Sequence, residues 1–378
     1  MAIRNCTVWI LVNLMEPDLD TDESQPARNG GNAAVVCLGG DKTELRQCPV
    51  PEPENGEIVL RLRVSGLCGT DLFKLKTGSA TPGTVLGHEI VGDVAMVGPG
   101  VAAFREGDRV VVPHHVACGQ CVLCRNGNET MCAAFKENLL DPGGFSDTIR
   151  IRARATRLAA HKIPDGLSDE KAVFVEPAAC VLRGIDRSGL RDGGTALILG
   201  SGSMGLLHLQ TIQAARPGAR VMVVDPDRDR LTLAAELGAT AVAAPGEEAA
   251  DMASDLTERV GVDAIFDTVG GNNTLGDGLH MARAGGSVVL FAHAGEGDLA
   301  GFDLNGFFKR EQRVIATYSG ALAEQRRIFE LLCAGALDPS PLVTHKMPLD
   351  EFDQGVDLTV RRKALKVLYT RSRNSRPA

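Results

Sequence analysis

Aromatic side chains are scarce in this chain: its 378 residues include 12 Phe, two Tyr and one Trp. Basic excess is lacking too. The formal net charge is −8 with a pI near 5.6, and no dense Lys/Arg stripe occurs, which argues against a nucleic-acid partner. No run reaches the roughly 18 apolar residues that span a membrane, so no membrane partner is expected. Internal repeats and low-complexity tracts are missing. Ten cysteines are present, but the spacing of a disulfide framework is not, since Cys6, Cys37, Cys48, Cys180 and Cys333 are scattered. That favours a reducing compartment, and a cytoplasmic location is expected.

What is present describes an ordinary globular protein of about two domains, with 44% hydrophobic and 23% charged residues. Forty-three glycines imply many turns and close backbone approaches. Residues 6–15 form a short apolar run after Arg4, but it lacks a small-residue cleavage site and meets Asp18, Asp20, Asp22 and Glu23. Residues 1–31 therefore read as a weakly ordered extension with room for one strand.

From residue 33 short strands with Gly/Pro punctuation are expected at 33–37, 58–64, 90–97, 109–112 and 145–151, forming a small irregular β-barrel-like domain. The rhythm changes near residue 176. Strands at 195–199, 220–224, 241–243, 264–266 and 287–290 alternate with helices at 204–215, 227–237 and 248–260, which is the βαβ pattern of a parallel sheet. A helix around 323–333 and a strand at 366–369 belong to a tail that returns to the first domain. The expected division is 1–31, 32–177 with a lobe at 113–135, 178–318 and 319–378.

The densest chemical signal is Cys118, Cys121, Cys124 and Cys132, spaced two, two and seven residues apart. Such gaps let one loop wrap a tetrahedral Zn²⁺. Four protein donors leave no open coordination position, so this zinc is structural and catalysis must lie elsewhere.

A second signal is Gly200-Ser201-Gly202-Ser203-Met204-Gly205, a G-x-G-x-x-G after a buried strand and opening a helix. Gly200 makes the turn, Gly202 admits a pyrophosphate close to the backbone, and Gly205 packs helix on sheet. The helix N-terminus offers unpaired N–H groups to phosphate. Asp225, 25 residues after Gly200, is placed to accept from ribose hydroxyls and to repel a 2′-phosphate, which points to NAD over NADP. Arg228 and Arg230 weigh the other way, because a nearby arginine can accommodate that phosphate.

Gly66-Leu67-Cys68-Gly69-Thr70-Asp71, Gly87-His88-Glu89, Gly98-Pro99-Gly100, the four-cysteine lobe, Glu176-Pro177 and the glycine fingerprint follow one another in this order. Over about residues 33–370 the chain resembles the zinc-dependent medium-chain dehydrogenases, closest to the branch of sorbitol-like polyol, butanediol and threonine dehydrogenases. Pro113 to Cys118 is similar to the threonine dehydrogenase stretch. The resemblance implies a GroES-like irregular β-barrel plus a Rossmann doubly wound parallel sheet, and two Zn²⁺ per chain, one catalytic and one structural. Cys68 and His88 would hold the catalytic ion with either Glu176 or Glu89 as third ligand. Sequence leaves that choice open.

Thr70 matches the hydroxyl that takes the alcohol proton, and Asp71 is a supporting acceptor. Lys366 matches a basic residue at the pyrophosphate. Phe73 stands where relatives often carry a proton-relaying histidine, which leaves Lys74 or water for that exit. Cys180 lies one helical turn beyond Glu176. Arg183 reads as a residue near the cofactor or as a surface cap, and His114 and His115 border the substrate mouth or are plain loop histidines. The expected activity is NAD-dependent oxidation of a secondary alcohol: a polyol, sugar alcohol, cyclitol or hydroxy amino acid. The alternatives are a biosynthetic NADH-dependent ketone or aldehyde reductase and a catalytically silent NAD-binding protein. A homodimer or homotetramer is expected.

Overall fold

The structure is a computed structural model that describes residues 31–373 except Glu296. The extension expected at the N-terminus thus lies, apart from Gly31, outside the described residues.

Two large sheets divide the chain. The first contains, in order across it, strands Val343–Pro348, Lys366–Thr370, Ile58–Gly66, Glu89–Val97, Arg109–Pro113 and His161–Lys162, with Thr148–Ile151 also paired to Ile58–Gly66. Pairing is antiparallel save for the parallel last two strands of the chain. Register shifts interrupt the pairing of Ile58–Gly66 with Glu89–Val97 at two places, and such bulges bend a sheet toward closure. A hairpin of Asn32–Gly39 and Lys42–Cys48 lies beside it, joined through bridges at Ala34–Ser146 and Val36–Val85.

The second sheet is wholly parallel. Its order is Ala241–Ala243, Arg220–Val224, Thr195–Leu199, Val262–Asp267, Ala282–Leu290, Arg313–Ala316. Numbered along the chain this is 3-2-1-4-5-6, the doubly wound arrangement. All five residues of Thr195–Leu199 are buried, as expected for a strand covered by helices on both faces. The strand order reverses beside Leu199, so the ligand crevice of such a sheet opens at Gly200.

Helix Val175–Ser188 unites the two halves. Eleven of its 14 residues are buried. Val175, Ala178, Leu182 and Ile185 share one apolar cluster with Val64 and Val91 of the first sheet and with Ala196, Ile198 and Val289 of the second.

Several elements differ from expectation for local reasons. The helix expected to reach 260 is Glu247–Leu256. There the Thr257 hydroxyl donates to Ala253 O at 2.7 Å and accepts from Gly261 N at 3.0 Å, turning the chain, and Glu258 and Arg259 adopt positive φ. The strand expected from 145 begins at Thr148, because Ser146 Oγ donates to Gly143 O and holds a turn. Strands Lys42–Cys48 and Arg313–Ala316 and helix Gly69–Thr77 add to the expected set.

Candidate active site and metal centres

Cys118, Cys121, Cys124 and Cys132 converge, with all four sulfurs within 4.8 Å of one another. The sulfur–sulfur separations are 3.9 Å for Cys118–Cys124 and 3.5 Å for both Cys121–Cys124 and Cys132–Cys118. A tetrahedron of Zn–S bonds near 2.3 Å has an edge of about 3.8 Å, so the donor set fits zinc. Gly119 and Gly127 sit at φ +76° and +74°, turns that only glycine adopts cheaply. Cys132 and Phe135 form the small core beneath.

The lobe is fastened to the body by Arg183. This side chain is 4% exposed. Its Nη1 donates to Glu324 Oε1 at 3.1 Å, and its Nη2 donates to Gly127 O at 3.0 Å and Glu129 Oε2 at 3.3 Å. Arg187 Nη2 adds bonds to Gly127 O and Asn128 Oδ1. Arg183 is therefore neither a cofactor contact nor a surface cap. Its three acceptors make it a buried tether between the lobe and helix Leu322–Cys333.

A second donor cluster is Cys68, His88 and Glu89, again with ligand atoms within 4.8 Å. Cys68 is the N-cap of helix Gly69–Thr77, and its sulfur accepts from Thr70 N. Asp71 closes the capping box by accepting from Cys68 N at 3.1 Å. Its other oxygen accepts from Gly87 N at 3.3 Å and lies 3.4 Å from His88 Nδ1. This carboxylate fixes the ring and leaves Nε2 free for another partner. Gly87, at φ +88°, has no room for a Cβ, which would meet Phe145 N at 2.8 Å. Burial opposes charge on His88, but Asp71 and Cys68 outweigh it and raise the imidazole well above its ordinary value.

Glu89 begins strand Glu89–Val97 and is 1% exposed. Neither of its carboxyl oxygens has a hydrogen-bond partner among the described residues, yet Lys366 forms an ion pair with it. A buried carboxylate so placed, beside a thiol and an imidazole, has the chemistry of a zinc ligand set. Glu176 lies outside this trio. Burial, reinforced by Glu89, lifts its carboxyl to about 7 despite the His88 charge, so it belongs to the same electrostatic site. Cys180 Sγ donates to Glu176 O at 3.4 Å; burial and the Glu176 and Cys68 charges push its thiol up.

Lys366 is placed unlike its expectation as a phosphate contact. It is 3% exposed, and its Nζ is held by Glu89 and by Leu67 O at 3.1 Å. The ammonium sits behind the metal donors because the parallel pair Val343–Pro348 and Lys366–Thr370 joins the sheet next to Ile58–Gly66.

At the mouth, Phe73 stacks on His293 from the other half of the molecule, with ring centroids 5.0 Å apart and planes 11° from parallel. His114 packs on His88 at 4.6 Å, on His115 at 3.5 Å, and His115 on Phe135 at 4.9 Å. This stack gives the two histidines a place that their loop position did not reveal, and His293 was not anticipated at all.

At the crevice, Gly200 has φ +96°, and a Cβ there would meet Thr268 Oγ1 and Val269 Cγ2 at 2.8 Å. A Cβ on Gly205 would collide with Gly200 O, which is the close helix–sheet approach expected of that position. Gly202 caps helix Ser203–Ala215 and faces open space but for Arg230 Nη1 at 3.9 Å. Ser203 and Met204 form the first turn, where Met204 O pairs with His208 Nδ1. Asp225 accepts from Ser201 N at 2.7 Å and Asp227 N at 2.9 Å, so it braces the glycine loop. Arg230 Nη2 donates to Arg362 O. Beside Gly200 lies a cavity of about 350 Å³ lined by Leu199, Val224, Pro226, Ala249 and Val269, an apolar slot of a size suited to a flat heterocycle.

A metal-type cluster at the first sheet and a glycine-fingerprint crevice at the second define the class of metal-dependent dehydrogenases. Residues 54–165 match the alcohol dehydrogenase GroES-like domain and residues 203–333 the zinc-binding dehydrogenase domain. The chain is 31% identical to a 2-dehydro-3-deoxy-L-galactonate 5-dehydrogenase of Pseudoalteromonas atlantica, over 79% of this chain and 86% of that one. It is 28% identical to a sorbitol dehydrogenase of Bacillus subtilis, over 89% and 96%. The solved alcohol dehydrogenase TADH from Thermus sp. ATN1 superposes with a TM-score of 0.80 at 29% identity, covering 89% of this chain and 99% of that one. The chain belongs to the zinc-dependent medium-chain dehydrogenase family. No helix among the described residues is long and apolar enough to cross a membrane.

Proposed function

We propose that this enzyme interconverts a secondary alcohol and its ketone with NAD, and that Cys68, His88 and Glu89 hold the catalytic zinc. The supporting observation is Glu89: a buried carboxylate, balanced by the Lys366 ammonium, whose ligand oxygen is grouped with a thiol and an imidazole. Glu176 is the neighbouring carboxyl that faces the same site. Bound zinc supplies the Lewis acidity that favours loss of the alcohol proton, and NAD supplies the hydride acceptor.

The chain's own groups do the rest. Thr70, on the turn after Cys68, relays the alcohol proton: Oγ1 takes it while the hydroxyl's own proton passes on to water. Asp71 keeps His88 oriented through Nδ1. Lys366 offsets the Glu89 charge in a site from which water is largely excluded. Gly200, Gly202 and Gly205 seat the pyrophosphate at the start of Ser203–Ala215, and Asp225 faces the adenosine ribose. Residues 32–177 with 319–378 form the catalytic unit and 178–318 the nucleotide unit. A cytoplasmic homo-oligomer fits this reading, with Arg313–Ala316 at an open sheet edge.

Metal analysis with a substrate screen tests the proposal. About two zinc per chain, with NADH formed from a polyol, hydroxy acid or hydroxy amino acid, is expected. One zinc and no turnover of any alcohol would leave a silent nucleotide-binding protein instead. Glu89→Gln and Glu176→Gln choose the ligand, because only the true ligand's variant loses the second zinc.

A further inference from the structure

The four residues Thr70, Phe73, Lys74 and Thr77 lie at spacings of three and four on helix Gly69–Thr77, which places them along one face. Thr70 begins that face next to the metal donors, and Phe73 reaches across to His293. Lys74 is one turn beyond Thr70, about 6 Å along the axis. Its side chain is exposed, and it forms no ion pair among the described residues.

Those two histidines follow Pro113, which pairs in register with Glu89 at the end of the sheet, so their rings emerge beside the metal donors. His114 Nδ1 is buried without a hydrogen-bond partner. Acidic groups of the adjoining loop are already engaged: Glu137 with Arg154 at 2.7 Å and Asp141 with Arg150 at 2.5 Å. Glu89 and Asp71, nearer the metal, are matched by Lys366 and His88. Apart from the buried Glu176 carboxyl, the site thus carries an exposed ammonium with no ion pair and an imidazole nitrogen with no hydrogen-bond partner among the described residues.

We propose that Lys74, on the helix face that starts at Thr70, and the unfilled His114 nitrogen across the metal donors form the recognition point for an anionic group on the substrate, so that the preferred alcohol is acidic, bearing a carboxylate or a phosphate two to four bonds from the oxidised carbon. The inference rests on the dehydrogenase reading above and narrows its substrate class. Neutral polyols reach the same donors but leave Lys74 and the His114 nitrogen to water.

The test uses the zinc-loaded full chain with NAD and two matched pairs: 3-hydroxybutyrate against butane-1,3-diol, and arabitol 5-phosphate against arabitol. In at least one pair the acid is expected to exceed the neutral partner in kcat/KM by about 10- to 100-fold, the range of a charge-assisted hydrogen bond. The pair with the larger ratio separates carboxylate from phosphate recognition. Lys74→Met is expected to bring the ratio to within about threefold of unity through KM, Lys74→Arg to keep it, and the control Lys76→Met to leave it intact. Calorimetric binding of butyrate against butyramide to the NADH complex reads the same preference without turnover, and the preference should vanish in Lys74→Met.

Equal kcat/KM within both pairs overturns the proposal while the dehydrogenase reading stands. So does a Lys74→Met variant that keeps the acid preference or loses acid and neutral turnover alike. No turnover of the four alcohols with no binding preference overturns the proposal, and the dehydrogenase reading falls with it only where the chain also binds a single zinc and the wider alcohol screen is silent.

Discussion

Replacing Arg183 with methionine should loosen the four-cysteine lobe without touching a metal donor. The wild-type guanidinium satisfies Glu324, Gly127 O and Glu129 from a position only 4% exposed. Removing one member of a buried ionic group costs about 3–5 kcal/mol when its partners are left dry. Two features reduce that figure here. Glu129 is 33% exposed and can turn to water, and Glu324 keeps the Ala321 N–H at 2.9 Å as a helix cap. Arg187 also retains its own bond to Gly127 O. A loss of about 2–3 kcal/mol for lobe docking is therefore expected, which raises the population of the undocked lobe about 30- to 150-fold. Arg183→Lys should recover less than half, because one ammonium nitrogen cannot stand in both places from which Nη1 and Nη2 reach Glu324 and the lobe.

Zinc release to a chromogenic chelator, and modification of the four thiols by a disulfide reagent, both report this opening when reclosing is fast. The expected result is release one to two orders of magnitude faster than wild type with an unchanged zinc content at the start. Wild-type release rates in Arg183→Met would refute the tether, as would equal rescue by lysine.

Further outcomes follow from the same contacts. Cys121→Ala should bind one zinc fewer by elemental analysis and lose solubility before it loses catalytic chemistry, because its sulfur is one of four converging donors. Glu89→Gln should lower the denaturation midpoint more than Glu176→Gln does, since it strands the buried Lys366 ammonium, a loss of about 3 kcal/mol. Gly205→Ala should weaken NADH binding at least tenfold by fluorescence titration, because its Cβ has no space against Gly200 O. Burial lifts Asp147 to about 6 from an ordinary 3.8, and its Oδ2 has no hydrogen-bond partner. The folded state thus binds the extra proton, so stability falls as pH rises from about 4 to 6 and the penalty is complete above 6. Asp147→Asn should be stabilised by about 1–2 kcal/mol at pH 8, under the ceiling of about 3 for the full shift, and by nothing at pH 4; equal midpoint shifts at both pH values would refute this.

Signals written in short spans of sequence were readable. Four cysteines within 15 residues and a six-residue glycine fingerprint carry their geometry in their spacing, and strands buried on both faces read as apolar runs. Polar edge elements did not show. Lys42–Cys48 alternates between exposed and half-buried residues and offers no apolar run to find. Helix Gly69–Thr77 starts from a cysteine cap, a residue not among the usual capping types. Long-range polar partners were equally hidden: Arg183 meets Glu129 and Glu324 from 54 and 141 residues away, and nothing near it in sequence names either. Lys366 was expected at the pyrophosphate, and only the sheet order shows it behind Glu89.

The two metal-type clusters differ in a way that bears on what each can do. The lobe offers four thiols at nearly tetrahedral separations, tied to the body by arginines from one helix. The cluster at Cys68, His88 and Glu89 is asymmetric. Each donor is held by a different neighbour: Cys68 by its own helix N-terminus, His88 by Asp71, Glu89 by Lys366. Thr70 follows Cys68 at the start of the helix and His114 stacks on His88, and no fourth thiol joins the three donors among the described residues. A set of donors braced separately from behind can hold an ion while one direction stays free for substrate, which a symmetric four-thiol cage cannot do. On that physical ground the chemistry is assigned to the asymmetric cluster, and the chain's selectivity to the charge that Lys74 brings to its open side.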